Sequence, residues 1–94
     1  MKNYQHITEL ANQKDAESQY QLGLIYELGL GVDKDLLQAF EWYQKSANQN
    51  HPKAQYNLGV FYALSKGGID KDIQQSKYWI RCAHENGYSG GSIF

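Results

Sequence analysis

The sequence predicts an all-α protein built from repeated helix pairs, with about five helices in a single domain of 94 residues. Three observations lead to this prediction. The first two are an internal repeat and apolar side chains that recur every three or four residues. The third is the composition, with 41% hydrophobic and 20% charged residues, which is typical of a folded chain. We therefore interpret residues 1–94 as one repeat domain.

The internal repeat is clearest in two ten-residue blocks, 19–28 and 55–64, which align at an offset of 36 residues and are identical at six positions. Beyond these blocks the offset becomes 37, and Trp42 then matches Trp79. One residue is therefore inserted in the second copy, and because loops tolerate insertions better than helices do, the sequence predicts a loop around residues 65–67. The predicted organisation is a half repeat at 1–14, full repeats at 15–50 and 51–87, and a tail at 88–94.

The first two helices follow from the partial repeat and from capping residues. The partial copy at the start of the chain predicts a helix near 3–13. The next helix, near 15–28, begins at Asp15, because aspartate is a favoured N-cap. It ends before Gly29, since glycine adopts the left-handed backbone that closes many helices.

The other three helices are predicted on the same grounds. The helix near 35–49 carries apolar residues at i, i+3, i+4, i+7 and i+11, which is one continuous stripe. The helix near 52–65 opens with Pro52, which suits the first turn of a helix. The helix near 72–86 is capped by Asp72.

One stretch of the first repeat resembles the Sel-like repeat, a longer relative of the tetratricopeptide repeat. The residues that carry the resemblance are Leu22, Gly23, Tyr26, Gly29, Gly31, Val32, Asp35, Ala39, Trp42, Tyr43, Lys45, Ser46 and Ala47. The resemblance covers residues 7–91, and the second repeat departs from the family pattern at Ser65 and Lys66 and again at Ile80 and Cys82. It implies a right-handed α-solenoid of antiparallel helix pairs, and an adaptor, often bacterial, that binds other proteins.

Two glycines lie in the middle of predicted helices, Gly23 and Gly59. A mid-helix glycine costs about 1 kcal/mol relative to alanine. We therefore expect the paired helix to approach closely at both positions. The aromatic residues Tyr26, Tyr62, Trp42 and Trp79 are expected to build the core between helices.

Tyrosines on the first helix of each repeat are the candidate binding residues. In the geometry that the resemblance implies, this helix lines the concave face, where tyrosine offers apolar area with a polar tip. The alternative, compatible with the first, is that Tyr20 packs on Tyr56 between repeats. The predicted groove consists of Glu17, Tyr20, Leu24, Glu27, Lys53, Tyr56, Val60 and Ala63.

Several classes of function are disfavoured by the composition. Lys and Arg total 9 and Asp and Glu total 10, so neither nucleic acid nor a membrane is expected as a partner. The single cysteine, Cys82, excludes an intrachain disulfide and a cysteine-based zinc site. His6, His51 and His84 are too scattered for a local metal motif, and His51 is interpreted as a solvated surface residue. We expect no cofactor and no metal, and, without a signal peptide or an apolar run, a cytoplasmic protein.

The predicted function is a module without enzymatic activity that binds a protein or peptide on its concave face. One alternative is an immunity-type protein that neutralises a toxin or effector. A hydrolase is a competing class, disfavoured because no nucleophile–base arrangement is visible. A third class is a purely structural oligomer built by end-to-end stacking. A separate hypothesis is that Ile93 and Phe94 fold back on the exposed face of the last helix pair or enter a neighbour's groove, so that the terminal helix or the tail supports weak self-association.

Overall fold

A computed structural model describes residues 3–90 of the chain. Within these residues the regular structure is entirely helical and contains no strand. The helices are α1 (Tyr4–Asn12), α2 (Ala16–Leu28), α3 (Leu36–Ala47), α4 (Pro52–Leu64) and α5 (Ile73–Glu85). A short 3-10 turn, Lys66–Gly68, lies at the predicted insertion. The all-α prediction is confirmed, and each helix begins and ends within two residues of its predicted bounds.

Three aspartates start helices in the same way. The side chains of Asp15, Asp35 and Asp72 accept hydrogen bonds from the backbone N–H three residues on, at 2.9, 3.0 and 3.0 Å. These bonds satisfy donors that the first turn of a helix leaves unpaired. At the other end of α2, Gly29 has a φ of 67°, the left-handed backbone expected of a closing glycine.

The core lies between successive helices in two clusters. The larger one comprises Ala39, Tyr43, Ala47, Ala54, Leu58 and Phe61, and the smaller one Ile7, Ala11 and Leu22. Trp79 packs against the larger cluster and Trp42 against the smaller one, and both are partly buried. Stacked helix pairs therefore share apolar faces that no single pair would bury alone.

At both mid-helix glycines a neighbouring helix approaches closely. A Cβ atom on Gly23 would overlap the ring of Tyr43. A Cβ atom on Gly59 would lie 2.7 Å from Cγ1 of Ile80 and 3.1 Å from the carbonyl oxygen of Ser76. The predicted close approach is thus confirmed at both positions. Ile80, the departure from the family pattern, occupies in the second repeat the place that Tyr43 has in the first.

Within residues 3–90, every helix is too short or too polar to cross a membrane. Ile93 and Phe94, for which self-association was predicted, lie outside the described residues.

Candidate functional site

Two stacked ring pairs lie at equivalent places in the two repeats. The rings of Tyr20 and His51 are 4.8 Å apart with an interplanar angle of 24°. The rings of Tyr56 and Tyr88 are 4.5 Å apart at 23°. Each tyrosine on a first helix therefore stacks on the ring that opens the following repeat, and the geometry is nearly the same both times.

His51 is a structural member of this site, which corrects its interpretation as a solvated residue. Its side chain is only 13% exposed. Nδ1 accepts a hydrogen bond from the backbone N–H of Ala54 at 3.2 Å, so the imidazole caps α4. Nε2 lies 2.5 Å from a carboxylate oxygen of Glu17. The sequence did not predict His51 as the N-cap of the helix that begins at Pro52, because histidine is not among the preferred N-cap residues.

Glu27 joins the two repeats through its carboxylate. Oε1 accepts a hydrogen bond from the Tyr43 hydroxyl at 2.7 Å, and Oε2 pairs with the Lys66 ammonium. Burial raises the pKa of Tyr43, and the hydrogen bond to Glu27 raises it further. The Tyr43 hydroxyl therefore stays protonated and holds Glu27 in place.

The first stacked pair also packs on a ring of the core, because Tyr43 is fully buried. Tyr20 lies 6.1 Å from Tyr43, ring centre to ring centre. Burial raises the pKa of Tyr20, and the nearby Glu17, Tyr88 and Glu27 raise it further. We define the aromatic row as the two stacked pairs together with the buried Tyr43 ring; its members are Tyr20, Tyr43, His51, Tyr56 and Tyr88.

The structure places the eight predicted groove residues in different environments. Glu17, Tyr20, Glu27 and Tyr56 belong to the aromatic row or contact it. The others differ: Lys53 is exposed, Val60 is half-buried, Ala63 is 9% exposed, and Leu24 lines a separate groove with α1. As for the alternative of direct packing, the rings on which Tyr20 and Tyr56 stack are those of His51 and Tyr88.

Sequence reasoning missed four residues of the site: Tyr43, His51, Lys66 and Tyr88. One signal was available for Tyr88, because it aligns with His51 at the offset of 37 that holds for the rest of the second repeat. Lys66 lies in the inserted loop, so the repeat itself has no counterpart from which to predict its contact.

The chemistry of the row suits recognition. Its rings offer apolar area, and its tyrosine hydroxyls and flanking carboxylates offer hydrogen bonds. In the part of the chain from 3 to 90, histidine, cysteine and acidic side chains do not gather into a group of three that would hold a metal ion. Cys82 is half-buried there, with a free thiol.

A protein-family model described as the Sel1 repeat matches the chain twice, over residues 16–51 and 52–88. A search of curated proteins found no significant match.

Two solved structures are similar to this chain. One is a protective antigen present in uropathogenic Escherichia coli strains that displays an SLR fold, with a TM-score of 0.81 and 35% identity over 87% of this chain. The other is a Sel1 repeat protein from Oxalobacter formigenes, with a TM-score of 0.78 and 38% identity over 89% of this chain. The present chain spans 18% of the first protein and 35% of the second.

Proposed function

The chain belongs to the Sel1 repeat family, and from this premise we propose that it is a non-enzymatic module that binds a protein or peptide on the aromatic row. Sel1 repeats are in general protein–protein interaction modules. The observation that supports the row as the site is the recurrence of the stacked pair. Both repeats present a tyrosine stacked on a second ring, at 4.8 and 4.5 Å.

The stacked pairs are well suited to this role for a physical reason. When a partner immobilises an exposed side chain at an interface, the loss of rotamer freedom costs about 0.5–1.5 kcal/mol of binding free energy. A ring already held against another ring has lost part of that freedom before the partner arrives. Tyr20 and Tyr56 remain half-exposed in their stacks, so their free surface is available to a partner.

The charges beside the row support contacts with a polar segment. The side chain of Glu17 is 52% exposed, and Lys53, at the same first turn of the next repeat, is exposed as well. A partner that lies along the row meets apolar rings at its centre and charges of both signs at its edge, the arrangement typical of protein interfaces.

The test starts from partners captured from native lysate and identified by mass spectrometry. Each purified partner is then titrated with the wild type and with the Tyr20→Ala, Tyr56→Ala double variant. We expect the double variant to bind at least about tenfold more weakly, because buried tyrosines are common hot spots. The matched control is Tyr78→Ala, which removes a tyrosine that is 49% exposed on α5, away from the row.

A second variant separates binding from folding. Lys53→Glu reverses an exposed charge one helical turn before Tyr56 and should leave the helical content unchanged. The proposal predicts weaker binding for this variant too. Equal affinity for the wild type and both row variants, or the same loss with Tyr78→Ala, would show that the partner binds elsewhere.

A further inference from the structure

The two stacked pairs of the aromatic row carry opposite charges at the same repeat position. Glu17 lies in the first turn of α2, and Lys53 lies 36 residues later in the first turn of α4. Each precedes a stacked tyrosine, Tyr20 or Tyr56, by three residues and so lies one turn from it on the same side of the helix. The two repeats therefore share the tyrosine and differ in the sign of the charge beside it.

The carboxylate of Glu17 can accept further hydrogen bonds at the first stacked pair. One of its oxygens lies 2.5 Å from Nε2 of His51, and the other accepts from Nε2 of Gln21 at 3.4 Å. A carboxylate has about four acceptor positions, and this side chain is 52% exposed, so positions remain for a partner. Burial raises the pKa of Tyr20, and the charge of Glu17 raises it further. The tyrosine hydroxyl therefore lies in the field of this carboxylate.

Lys53 gives the second stacked pair the opposite electrostatic character. It is exposed, and among residues 3–90 its ammonium forms no ion pair with a carboxylate. Glu27, another carboxylate beside the row, is instead paired with Lys66 and accepts from the Tyr43 hydroxyl. Glu17 and Lys53 are thus the two charges beside the row that a partner can still neutralise.

The stacked tyrosines are less exposed than other residues of the same helices. Tyr20 and Tyr56 are half-buried, whereas Leu28 and Leu64, which end α2 and α4, are 61% and 66% exposed. The charged residues in the first turns are exposed as well. A broad surface of packed helices meets these exposed residues first, whereas an extended segment is narrow enough to pass between them and contact the rings.

We propose that the aromatic row binds an extended segment of a partner protein that carries an arginine at the first stacked pair and an acidic residue at the second. This inference rests on the proposed function and adds the chemistry of the partner. The guanidinium lies against Tyr20 and donates to Glu17, because its planar fork matches a carboxylate and stacks on aromatic rings. The acidic side chain accepts from the Lys53 ammonium while the segment covers the ring of Tyr56.

The probe is a library of random peptides displayed on phage and selected on the immobilised wild-type chain. Peptides of about twelve residues span about 40 Å when extended, which exceeds the 36 Å long axis of the molecule. Each selected peptide is tested again on the Tyr20→Ala, Tyr56→Ala double variant, and those that it fails to retain bind the row. We expect these row-dependent peptides to be enriched in sequences that contain both an arginine and an aspartate or glutamate.

Charge variants then test the two contacts one at a time by fluorescence anisotropy. Glu17→Gln keeps an oxygen that can accept from His51 but removes the charge, and it should weaken binding of a selected peptide about tenfold. Replacing the arginine of the peptide by glutamine should abolish the difference between the wild type and Glu17→Gln. Lys53→Glu should also weaken binding, and a peptide with lysine in place of its acidic residue should restore it. The matched control is Glu41→Gln on α3, an exposed residue two positions from Tyr43 and hence on the opposite side of that helix.

The outcomes separate this inference from the proposed function. Row-dependent peptides without the charge pair, or equal affinity of the wild type, Glu17→Gln and Lys53→Glu for a charged peptide, would overturn the inference alone. A selection that yields no peptide, or peptides that the Tyr20→Ala, Tyr56→Ala double variant retains equally well, would count against both. Self-association of the wild type that Lys53→Glu abolishes in sedimentation would assign the two charges to a second copy and would also overturn the inference.

Discussion

At the scale of single residues, two close contacts between helices depend on glycine, which has no side chain. Gly59 lies within van der Waals reach of Ile80 and of the Ser76 backbone. Sequence reasoning found this feature because glycine in a helix is unfavourable unless it permits close packing. It did not identify the side chains that contact the two glycines. The contacting residue is Tyr43 in the first repeat and Ile80 in the second, which are different residue types at the same repeat position.

Gly59→Ala should destabilise the protein. The new Cβ would lie 2.7 Å from Cγ1 of Ile80 and 3.1 Å from the carbonyl oxygen of Ser76. Overpacking of this kind costs about 1–3 kcal/mol, which outweighs the gain in helix propensity of about 1 kcal/mol. Urea unfolding measures the difference. A higher free energy of unfolding in the variant would mean that the helices can separate at no cost.

Ser76→Ala should stabilise the protein or leave its stability unchanged. Ser76 is fully buried, and its hydroxyl has no hydrogen-bond partner within residues 3–90. An unsatisfied buried polar group costs about 1–3 kcal/mol, and the corresponding residue of the first repeat, Ala39, is already alanine. The denaturant midpoint reports the change, and a lower midpoint would reveal a hydrogen bond that the hydroxyl makes.

Tyr43 should make the folded state sensitive to alkaline pH. Burial and the hydrogen bond to Glu27 raise its pKa in the folded state above the ordinary value of 10.0. The unfolded chain therefore loses this proton first, so the stabilisation is complete below pH 10 and is lost as the pH rises beyond it. Tyr43→Phe should reduce the slope of stability against pH above 10 by up to about 1.4 kcal/mol per pH unit. An unchanged slope would show that Tyr43 ionises equally in both states.

At the scale of elements, buried glutamines connect one repeat to the next. The Nε2 groups of Gln19 and Gln55 donate to the carbonyl oxygens of Ala11 and Ala47, at 3.3 and 3.2 Å. Their Oε1 atoms accept from Gln49 and Asn86, at 2.8 and 3.0 Å. The same bond thus recurs in both repeats, between the first helix of a repeat and the end of the helix before it.

Gln55→Ala should therefore weaken the junction between α3 and α4. It removes the hydrogen bonds from Gln55 to the Ala47 carbonyl and from Asn86 to Gln55, at a site that is only 1% exposed, while the Ala47 carbonyl keeps its bond from the Asn50 N–H. The expected loss is about 1–3 kcal/mol. The control is Gln44→Ala, an exposed glutamine on α3, which should change stability by less than about 0.5 kcal/mol. Thermal unfolding of the two variants compares them directly, and equal melting temperatures would contradict this role.

At the scale of the whole molecule, the sequence predicted the fold better than the site. The fold follows from local features, namely the recurring aspartate caps, the single Pro52 and the apolar stripe. The site depends on contacts between repeats, such as Tyr20 with His51 and Glu27 with Lys66. Nothing in the local sequence around either partner of these pairs specifies the other, so only the stacking of helices reveals them.

The most direct test of the aromatic row uses tyrosines labelled in their rings with carbon-13. The protein has eight tyrosines, all within the described residues, and their ring signals distinguish the aromatic row from other parts of the structure. On addition of a purified partner, we expect shift changes for the rings of Tyr20, Tyr56 and Tyr88, with Tyr78 on α5 unchanged. Changes at Tyr78 with unaltered signals from Tyr20, Tyr56 and Tyr88 would contradict the aromatic row as the binding surface.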